Sequence, residues 1–327
     1  MKTFEEYLDM VNQAVSHIKY PERPANLYDP IAYTMGQGGK RVRPALALMS
    51  ADALDGDLEL TMPVALAVEL FHNFTLLHDD VMDRADVRRG QPTVHTKWND
   101  NVAILSGDAM LSLSMKYLAQ APAYCVIHAF ELFNRTAMKV YEGQQLDMDF
   151  EKRYDDVTLE EYMEMIRLKT SVLLGASCQL GALVAGAAEA TARRIYQVGE
   201  NMGMAFQVQD DVLDVWGDPA TFGKATGGDI MCGKKTFLLI NALHMAGGAD
   251  RRELDYYVTG EGKDAAREVK VAAVTAIYER LGLREHATDA VRDYSTRAIE
   301  ALHGCGMGAK QHDVFVELIE RLTSRTM

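Results

Sequence analysis

The stretch Leu76-Leu77-His78-Asp79-Asp80-Val81-Met82-Asp83 places three carboxylates at the end of a long apolar run. The run from Val64 to Asp83 is apolar on most sides, and this pattern predicts a central buried helix. The same Asp-Asp-x-x-Asp spacing returns as Asp210-Asp211-Val212-Leu213-Asp214. We therefore expect an all-α protein in which the two acidic segments face each other in one cavity.

Helical geometry explains why this spacing points to chemistry. Residues i and i+4 lie one turn apart on the same face, so Asp79 and Asp83 project side by side and Asp80 is rotated about a quarter-turn away. Like charges at this spacing repel unless they share a cation. Magnesium is commonly held by one or two carboxylates together with substrate phosphate oxygens. One such motif could equally be a solvated acidic helix end, but two copies on apolar helices favour magnesium against a diphosphate.

The second motif repeats the arrangement with an added amide. Asp210 and Asp214 share a helix face, and Gln207 three residues earlier joins them. In the first motif, His72 lies seven residues before Asp79 and so falls on nearly the same stripe. Both helices are therefore expected to present polar groups beside the metal.

Cations recur near glycine-bearing turns and beside the acidic motifs. They are Lys40, Arg41, Arg43, Arg88, Arg89, Lys169, Lys224, Lys234 and Lys235. Arginine binds phosphate in a bidentate manner and lysine supplies a compact charge. Each cation alone would fit an ordinary surface charge, whereas their clustering favours a diphosphate site.

Composition supports a large helical protein. The chain has 327 residues, of which 48% are hydrophobic and 25% charged, with 18 Met and only 8 Pro. Strand-like alternation is nearly absent, and no linker or short repeat interrupts the chain. We expect one domain over residues 1–327.

Charge, cysteines and hydropathy narrow the function classes. The net charge of −13 argues against nucleic acid or an anionic membrane surface as partner. The four cysteines are scattered without paired spacing, which disfavours a disulfide framework or a zinc site. No apolar signal region is evident, and no run approaches the roughly 20 apolar residues of a membrane span. We expect a cytoplasmic enzyme without a membrane span.

Local signals predict several helix boundaries. Capping boxes are expected at Thr3 and Thr158, each with a glutamate three residues later. Pro63 suits the first turn of the central helix, and Asn101 or Ser106 is expected to cap the next apolar helix. The helix after Thr158 is predicted to continue through the small-residue run that ends at Ala188.

These motifs together resemble a known family. The turn Gly38-Gly39-Lys40-Arg41-Val42-Arg43-Pro44, both aspartate motifs and Gly233-Lys234-Lys235-Thr236 resemble those of trans-type (head-to-tail) polyprenyl diphosphate synthases, which include farnesyl and geranylgeranyl diphosphate synthases. The resemblance covers nearly the whole chain. The loop, elbow and zinc-helix signatures of other phosphate or hydrolytic enzymes do not occur in it.

The resemblance implies a fold, a metal set and residue roles. It implies an all-α isoprenoid synthase bundle around a deep central cavity, a homodimer, and three Mg²⁺ ions on an allylic diphosphate. The resemblance assigns metal binding to Asp79, Asp83 and Asp210, with Asp80, Asp211 and Asp214 in support. Asp214 is also counted among the metal ligands. Isopentenyl diphosphate is assigned to Lys40, Arg43, His72 and Arg89. The allylic diphosphate is assigned to Arg88, Lys169, Lys224 and Lys234. Thr170 and Gln207 would face the developing cation, and Gln144 and Asp147 would form a polar pair beside the metal.

Product length in the resembled family depends on bulk below the first motif. Phe74 and Thr75 stand five and four residues before Asp79, a combination that resembles synthases making C20 or C15 products. A straight helix puts Thr75 directly under Asp79 but Phe74 well off that stripe, so the role of Phe74 rests on the resemblance. Phe74 could also be an ordinary core residue.

Two other functions fit part of the pattern. A class I terpene cyclase shares the fold and the first motif, but it usually carries an Asn/Ser/Glu second motif, unlike Asp210-Asp211-Val212-Leu213-Asp214. A non-catalytic subunit of a prenyl synthase tends to lose acidic-motif residues, and both motifs are intact here. A prenyltransferase is therefore the favoured interpretation.

Overall fold

The protein is almost entirely helical in a computed structural model that describes residues 1–218 and 226–323. Its helices are α1 (Phe4–Ser16), α2 (Ala25–Gly36), α3 (Val42–Asp52), α4 (Leu58–Met82), α5 (Val94–Lys97), α6 (Asp100–Leu118), α7 (Val126–Phe150), α8 (Leu159–Ile166), α9 (Val172–Val184), α10 (Glu189–Trp216), α11 (Gly228–Cys232), α12 (Phe237–Met245), α13 (Gly248–Val258), α14 (Arg267–Arg280), α15 (Leu283–Leu302) and α16 (Ala309–Thr323). A π-helical turn covers Arg167–Ser171, and a 3₁₀ turn covers Glu261–Asp264. The all-α prediction is confirmed.

The described residues also contain two short strands. β1 (Val87–Arg88) and β2 (Gln91–Pro92) pair antiparallel, with Val87 opposite Pro92 and Arg88 opposite Gln91. This hairpin lies directly after the first acidic motif and carries two of the predicted diphosphate-binding arginines.

The chain divides into two compact units. Unit 1 comprises Met1–Arg135, Ala176–Tyr196 and Leu302–Val314. Unit 2 comprises Thr136–Gly175, Gln197–Ala301 and Phe315–Met327. The first acidic motif lies in unit 1 and the second in unit 2. A single domain over residues 1–327 and a cavity shared by the two motifs stay predictions.

Helix α4 is the core of unit 1, as the sequence predicts. Its side chains Val64, Ala65, Ala67, Val68, Leu70 and Phe71 are fully buried. Burying an aliphatic or aromatic side chain of this size contributes about 1.5–3 kcal/mol, so the apolar run stabilises the helix that positions the motif. The sequence predicts no run that is apolar enough to span a membrane. Helix α4 is an exception, because by length and composition alone it is long and apolar enough to do so. Its tested window is 67% buried, as in the core helix of a soluble protein.

Unit 2 has its own core, built around the second motif. Tyr162 of α8, Val208 and Val212 of α10, Phe237 of α12 and Tyr278 of α14 belong to one buried cluster. Val208 and Val212 face this cluster from the helix that carries the aspartates. The hydrophobic core therefore fixes how that helix is rotated.

Some predicted helix boundaries are confirmed and others are wrong. Both capping boxes, at Thr3 and Thr158, are present. Helix α4 begins at Leu58 and not at Pro63, because the Asp57 side chain accepts the N–H groups of Glu59 and Leu60. Similarly, Asn99 caps α6 through the N–H of Val102, so neither Asn101 nor Ser106 does.

The predicted continuous helix after Thr158 is also wrong. It is interrupted by the π-helical turn at Arg167–Ser171, and α9 ends at Val184, before Ala188. Single π-helical turns inside α-helices often mark functional sites. This turn carries Lys169 and Thr170, two of the predicted site residues.

Candidate active site

The first acidic motif sits at the C-terminal end of α4. Asp83 is its C-cap and keeps a helical backbone, and its N–H donates to the carbonyl of Asp79 at 2.8 Å. Asp79 and Asp83 therefore remain one turn apart, as predicted; Asp79 is partly exposed and Asp83 exposed. Asp80 is only 5% exposed and accepts a hydrogen bond from Arg88 Nε at 2.7 Å. Burial raises the pKa of Asp80, although the Arg88 charge opposes the rise.

The glycine-rich turn before α3 packs against Arg89. Gly38 and Gly39 have φ values of 76° and 134°, which favour glycine. A Cβ on Gly39 would lie 2.8 Å from Cζ of Arg89, so only glycine admits the guanidinium there. Arg89 also donates to the carbonyl of Gly38. The structure thus places Arg89 beside the turn that carries Lys40, which is exposed.

A buried ion pair holds this turn to the core helix. Arg41 pairs with Glu69 of α4 and donates to the Met35 carbonyl at 2.6 Å. Asn73 donates to Glu69 Oε1 at 2.7 Å, and Glu69 is 2% exposed. Arg41 is therefore an anchor of the turn. Sequence reasoning missed Glu69, although a glutamate inside an apolar helix run is the signal that could have found it.

Arg43 and His72, both predicted to bind isopentenyl diphosphate, are in contact. Arg43 Nη1 lies 3.2 Å from His72 Nε2. Because a guanidinium only donates, His72 Nε2 accepts and the imidazole is neutral. Burial and the charges of Arg43 and Arg89 hold the pKa of His72 well below its usual value. Burial lowers the pKa of Arg43 to about 10, so Arg43 stays cationic at neutral pH.

Two other predicted cations, Arg88 and Arg89, line a pocket in unit 1. It is lined by Arg88 and Arg89 of the hairpin and by Asp80 and Asn73 of α4. The clustered arginines give this pocket the charge and the hydrogen-bond donors that a phosphate group requires. This pocket brings together the predicted cations Arg88 and Arg89, and the charges of Arg43, Arg88 and Arg89 all lower the pKa of His72.

The three carboxylates of the second motif, on α10, differ in their burial and in their hydrogen bonds. Asp211 is 4% exposed and accepts hydrogen bonds from the Tyr162 hydroxyl and, at 2.8 Å, from the Phe237 N–H. Asp214 Oδ2 accepts the N–H of Asp229 at 3.0 Å. Asp210 is partly exposed, and within the described residues its carboxylate has no protein hydrogen bond. Burial raises the pKa of Asp211 to about 7, although the donors from Tyr162 and Phe237 oppose the rise.

The two motifs share one feature. In each, the second aspartate, Asp80 or Asp211, is buried and bonded within the protein, whereas the first, Asp79 or Asp210, is partly exposed. The expectation that Asp80 and Asp211 act in support fits this arrangement.

The π-helical turn brings four predicted residues together. Lys169 Nζ contacts Asp147 Oδ2 at 2.6 Å, and Thr170 Oγ1 donates to Gln207 Oε1 at 3.3 Å. Lys234 lines the same pocket of about 330 Å³ with them. Desolvation lowers the pKa of Lys234, but the charges of surrounding carboxylates outweigh it and raise the value overall. Lys224 lies outside the described residues.

Two glycines that sequence reasoning missed allow this turn to form. A Cβ on Gly143 of α7 would lie 2.3 Å from the Lys169 nitrogen. A Cβ on Gly203 of α10 would lie 2.6 Å from the Ser171 Cα. Both distances are too short for real contacts, so the backbone of the turn is held between glycine surfaces.

We expect Gly143→Ala to displace Lys169 and Thr170. The overlap involves backbone atoms, so the turn must shift, and a displacement of about 1 Å can cost roughly a hundredfold in rate. Steady-state kinetics measure the loss of turnover, and thermal melting measures any loss of stability. Gly36→Ala is the control, because no atom lies within 4 Å of its Cβ position. Equal turnover in the two variants would contradict the role of Gly143.

The donor set fits a hard divalent cation. Among the described residues no group of three His, Cys, Asp or Glu side chains converges to form a complete site. Each motif instead offers one or two carboxylates, which suits Mg²⁺ because this ion takes its remaining ligands from water and substrate phosphate.

The predicted length-determining residues occupy different surroundings. Phe74 is buried and packs against Phe71 and His78, with ring centroids 5.6 Å and 4.8 Å away. Thr75 is partly exposed, and its hydroxyl donates to the His72 carbonyl at 2.8 Å. Phe74 thus belongs to an aromatic cluster, and Thr75 lies on the stripe of Asp79.

Comparison with known sequences gives a consistent result. The family described as Polyprenyl synthetase matches residues 24–277. A geranylgeranyl diphosphate synthase of Methanosarcina mazei is 40% identical over 267 residues, which cover 81% of each chain. A (2E,6E)-farnesyl diphosphate synthase of Mycobacterium tuberculosis is 37% identical over 269 residues, covering 82% of this chain and 75% of that one.

Solved structures agree with the sequence comparison. A crystal structure of a geranylgeranyl pyrophosphate synthase superposes with a TM-score of 0.94 at 39% identity, covering 100% of both chains. A polyprenyl synthase of Caulobacter crescentus, complexed with calcium and isoprenyl diphosphate, has a TM-score of 0.86 at 26% identity, covering 98% of this chain and 96% of that one.

Proposed function

We propose roles for individual residues on the premise that this chain belongs to the polyprenyl synthetase family. It is a short-chain trans-prenyltransferase, which condenses isopentenyl diphosphate with an allylic diphosphate and releases diphosphate. Its product is geranylgeranyl (C20) or farnesyl (C15) diphosphate. The family uses a divalent metal.

The proposed metal ligands are Asp79, Asp83, Asp210 and Asp214, holding three Mg²⁺ ions. The supporting observation is that the first aspartate of each motif is left partly exposed while the second is bonded within the protein. Bound there, Mg²⁺ would neutralise the departing diphosphate and lower the barrier to carbon–oxygen cleavage. Asp80 and Asp211 each bond to a neighbouring element of their own unit and so hold the end of their own helix in place.

Isopentenyl diphosphate is assigned to Lys40, Arg43, His72 and Arg89. The contact between Arg43 and His72, and the packing of Arg89 on the glycine turn, support this assignment. Arg43 carries its charge into a buried setting, where a hydrogen bond to phosphate is stronger than in water. The neutral His72 can donate from Nδ1.

The allylic diphosphate is assigned to Arg88, Lys169, Lys224 and Lys234. Lys169 and Lys234 line one pocket beside the second motif, which supports their shared role. Lys169 pairs with Asp147, so this carboxylate keeps the ammonium in place.

The allylic cation formed by ionisation must be stabilised and kept from water. The oxygens of Thr170 and Gln207 are 3.3 Å apart and supply dipoles that can face it. Apolar side chains of the same pocket, Met165 and Ile166, help to exclude water. The isopentenyl double bond then attacks the cation, and the lost proton goes to the released diphosphate.

The experiment that tests these roles is an incubation of purified protein with Mg²⁺, dimethylallyl diphosphate and isopentenyl diphosphate. We expect C15 or C20 prenyl diphosphate from this chain alone. A cyclic hydrocarbon would indicate a terpene cyclase, and activity only with a second protein would indicate a non-catalytic subunit.

Phe74→Ala is expected to lengthen the product. Removing the ring opens space within the Phe71–Phe74–His78 cluster below the first motif. Thr75→Phe, which adds bulk one turn below Asp79, is expected to shorten it. Chromatography of the products measures both changes. An unchanged chain-length distribution in both variants would exclude these positions as length determinants.

The proposal includes a cytoplasmic homodimer. Unit 1 exposes large apolar side chains on α6 and at the start of α7, including Leu105, Ile127 and Phe130, with Ile127 66% exposed. Contiguous apolar patches are typical of protein interfaces, and we infer that these side chains belong to one. A second copy of the chain is the occupant that the family resemblance favours.

We expect Ile127→Glu to weaken the dimer. A carboxylate at the centre of an apolar interface loses hydration without gaining a partner, which is unfavourable. Sedimentation velocity over a concentration series measures the shift towards monomer. Val269→Glu, at an exposed valine of unit 2, is the control and should leave the dimer intact. A monomeric wild-type protein would contradict the homodimer.

A further inference from the structure

Tyr162 donates its hydroxyl hydrogen to the second aspartate of the second motif. The side chain is 2% exposed and lies on α8, and its hydroxyl donates to Asp211 Oδ2. The same oxygen accepts the N–H of Phe237, the first residue of α12, at 2.8 Å. One buried carboxylate oxygen therefore joins three elements of unit 2.

Each of these elements carries or adjoins a residue assigned to the allylic diphosphate or its metal. Helix α10 carries Asp210 next to Asp211, α12 begins three residues after Lys234, and α8 leads into the turn with Lys169. Adjacent helical residues point about 100° apart, so fixing Asp211 inwards fixes the direction of Asp210. The Asp211–Phe237 bond likewise fixes the backbone that follows Lys234.

The hydroxyl is needed because the carboxylate is buried. An ionised carboxylate removed from water is costly unless donors satisfy it, and a lost partner typically costs more than the bond itself contributed. Without the hydroxyl, Asp211 Oδ2 keeps only the Phe237 N–H of these two donors. The carboxylate then gains by turning towards the metal side of the pocket, and α10 and α12 lose their common anchor.

We propose that Tyr162 is a positioning residue for the allylic-diphosphate half of the site, acting through Asp211 on Asp210 and Lys234. Tyr162 lines the pocket that Lys169, Thr170 and Gln207 also line. This inference rests on the proposed roles of the second motif and of Lys234, and it adds a residue to which the motifs assign no role.

A matched tyrosine–carboxylate pair in the same unit provides the control. Tyr154 donates its hydroxyl to Asp255 Oδ1, and neither residue lines the pocket. Tyr154→Phe and Tyr162→Phe each remove one oxygen atom and leave the ring in place. Thermal melting measures the loss of stability in each variant, which we expect to be larger for Tyr162→Phe because Tyr162 and Asp211 are the more buried pair.

The test measures KM for each substrate and the affinity for an unreactive allylic thiolodiphosphate by calorimetry with Mg²⁺. For Tyr162→Phe we expect about a tenfold rise in allylic KM and in the analogue's Kd, the size of a lost hydrogen bond to a charged group. KM for isopentenyl diphosphate should stay within about twofold, and Tyr154→Phe should change none of the three constants.

Two outcomes would overturn the inference. The first is an equal change, or no change, in both substrate constants for Tyr162→Phe; the second is the same allylic defect in Tyr154→Phe. Failure of the proposed function is distinguishable, because wild-type protein would then make no prenyl diphosphate and would not bind the analogue.

Discussion

Alanine at Asp79 or at Asp210 is expected to lower turnover by about a thousandfold or more while the fold survives. Each residue is the partly exposed aspartate of its motif and a proposed metal ligand. Charge stabilisation by a bound divalent ion is worth several kcal/mol in the transition state, and each 1.4 kcal/mol is about tenfold in rate. Product formation with saturating Mg²⁺ measures the loss.

The control for this result is Asp86→Ala. Asp86 is exposed and follows the first motif by three residues, but it has no proposed metal role. Melting temperatures close to wild type in all three variants would separate a catalytic defect from unfolding. Near-normal turnover in Asp79→Ala or Asp210→Ala would refute the metal assignment.

Arg43→Met is expected to raise KM for isopentenyl diphosphate by about a hundredfold and leave allylic ionisation intact. A charge-assisted hydrogen bond contributes about 1.5–3 kcal/mol, and Arg43 makes its bonds in a buried setting. Methionine preserves much of the apolar stem, so its packing survives. Steady-state kinetics give the KM for each substrate. Hydrolysis of the allylic diphosphate alone measures its ionisation.

Arg43→Lys is the matched variant for this prediction. Lysine keeps the charge but cannot bind phosphate in a bidentate manner, so its KM should fall between wild type and Arg43→Met. An equal rise in KM for both substrates in Arg43→Met would show that Arg43 does not bind isopentenyl diphosphate specifically.

Structural features that depend on nearby residues could be predicted from the sequence. The i, i+4 relation of Asp79 and Asp83 depends only on helix geometry, and an apolar run of this length predicts a long helix that is mostly buried. The two capping boxes are likewise encoded within four residues. These features need no knowledge of distant contacts, which is why sequence reasoning found them.

Features that depend on distant contacts were missed. The π-helical turn at Arg167–Ser171 exists because Gly143 and Gly203 let its backbone approach, and neither glycine is close to it in sequence. Glu69 is bound by Arg41, which is 28 residues away, and Tyr162 is bonded to Asp211, 49 residues away. Helix α4 begins five residues before Pro63, because the Asp57 side chain caps it there.

The structure also refines the meaning of the aspartate motifs. Three carboxylates at this spacing look equivalent in the sequence, but burial separates them. Asp80 and Asp211 are bonded to Arg88 and Tyr162, so these two aspartates join each motif to a neighbouring element of its own unit. The first aspartates, Asp79 and Asp210, are partly exposed.

We infer that the first aspartates of both motifs hold the metal ions that bind the allylic diphosphate. Crystals grown with Mn²⁺ and an unreactive allylic thiolodiphosphate test it most directly, because Mn²⁺ can be located by its anomalous scattering. We expect metal peaks bound to Asp79 and Asp83 and to Asp210, each also in contact with diphosphate oxygens. Diphosphate bound without metal at these carboxylates, or metal bound only elsewhere, would contradict the claim.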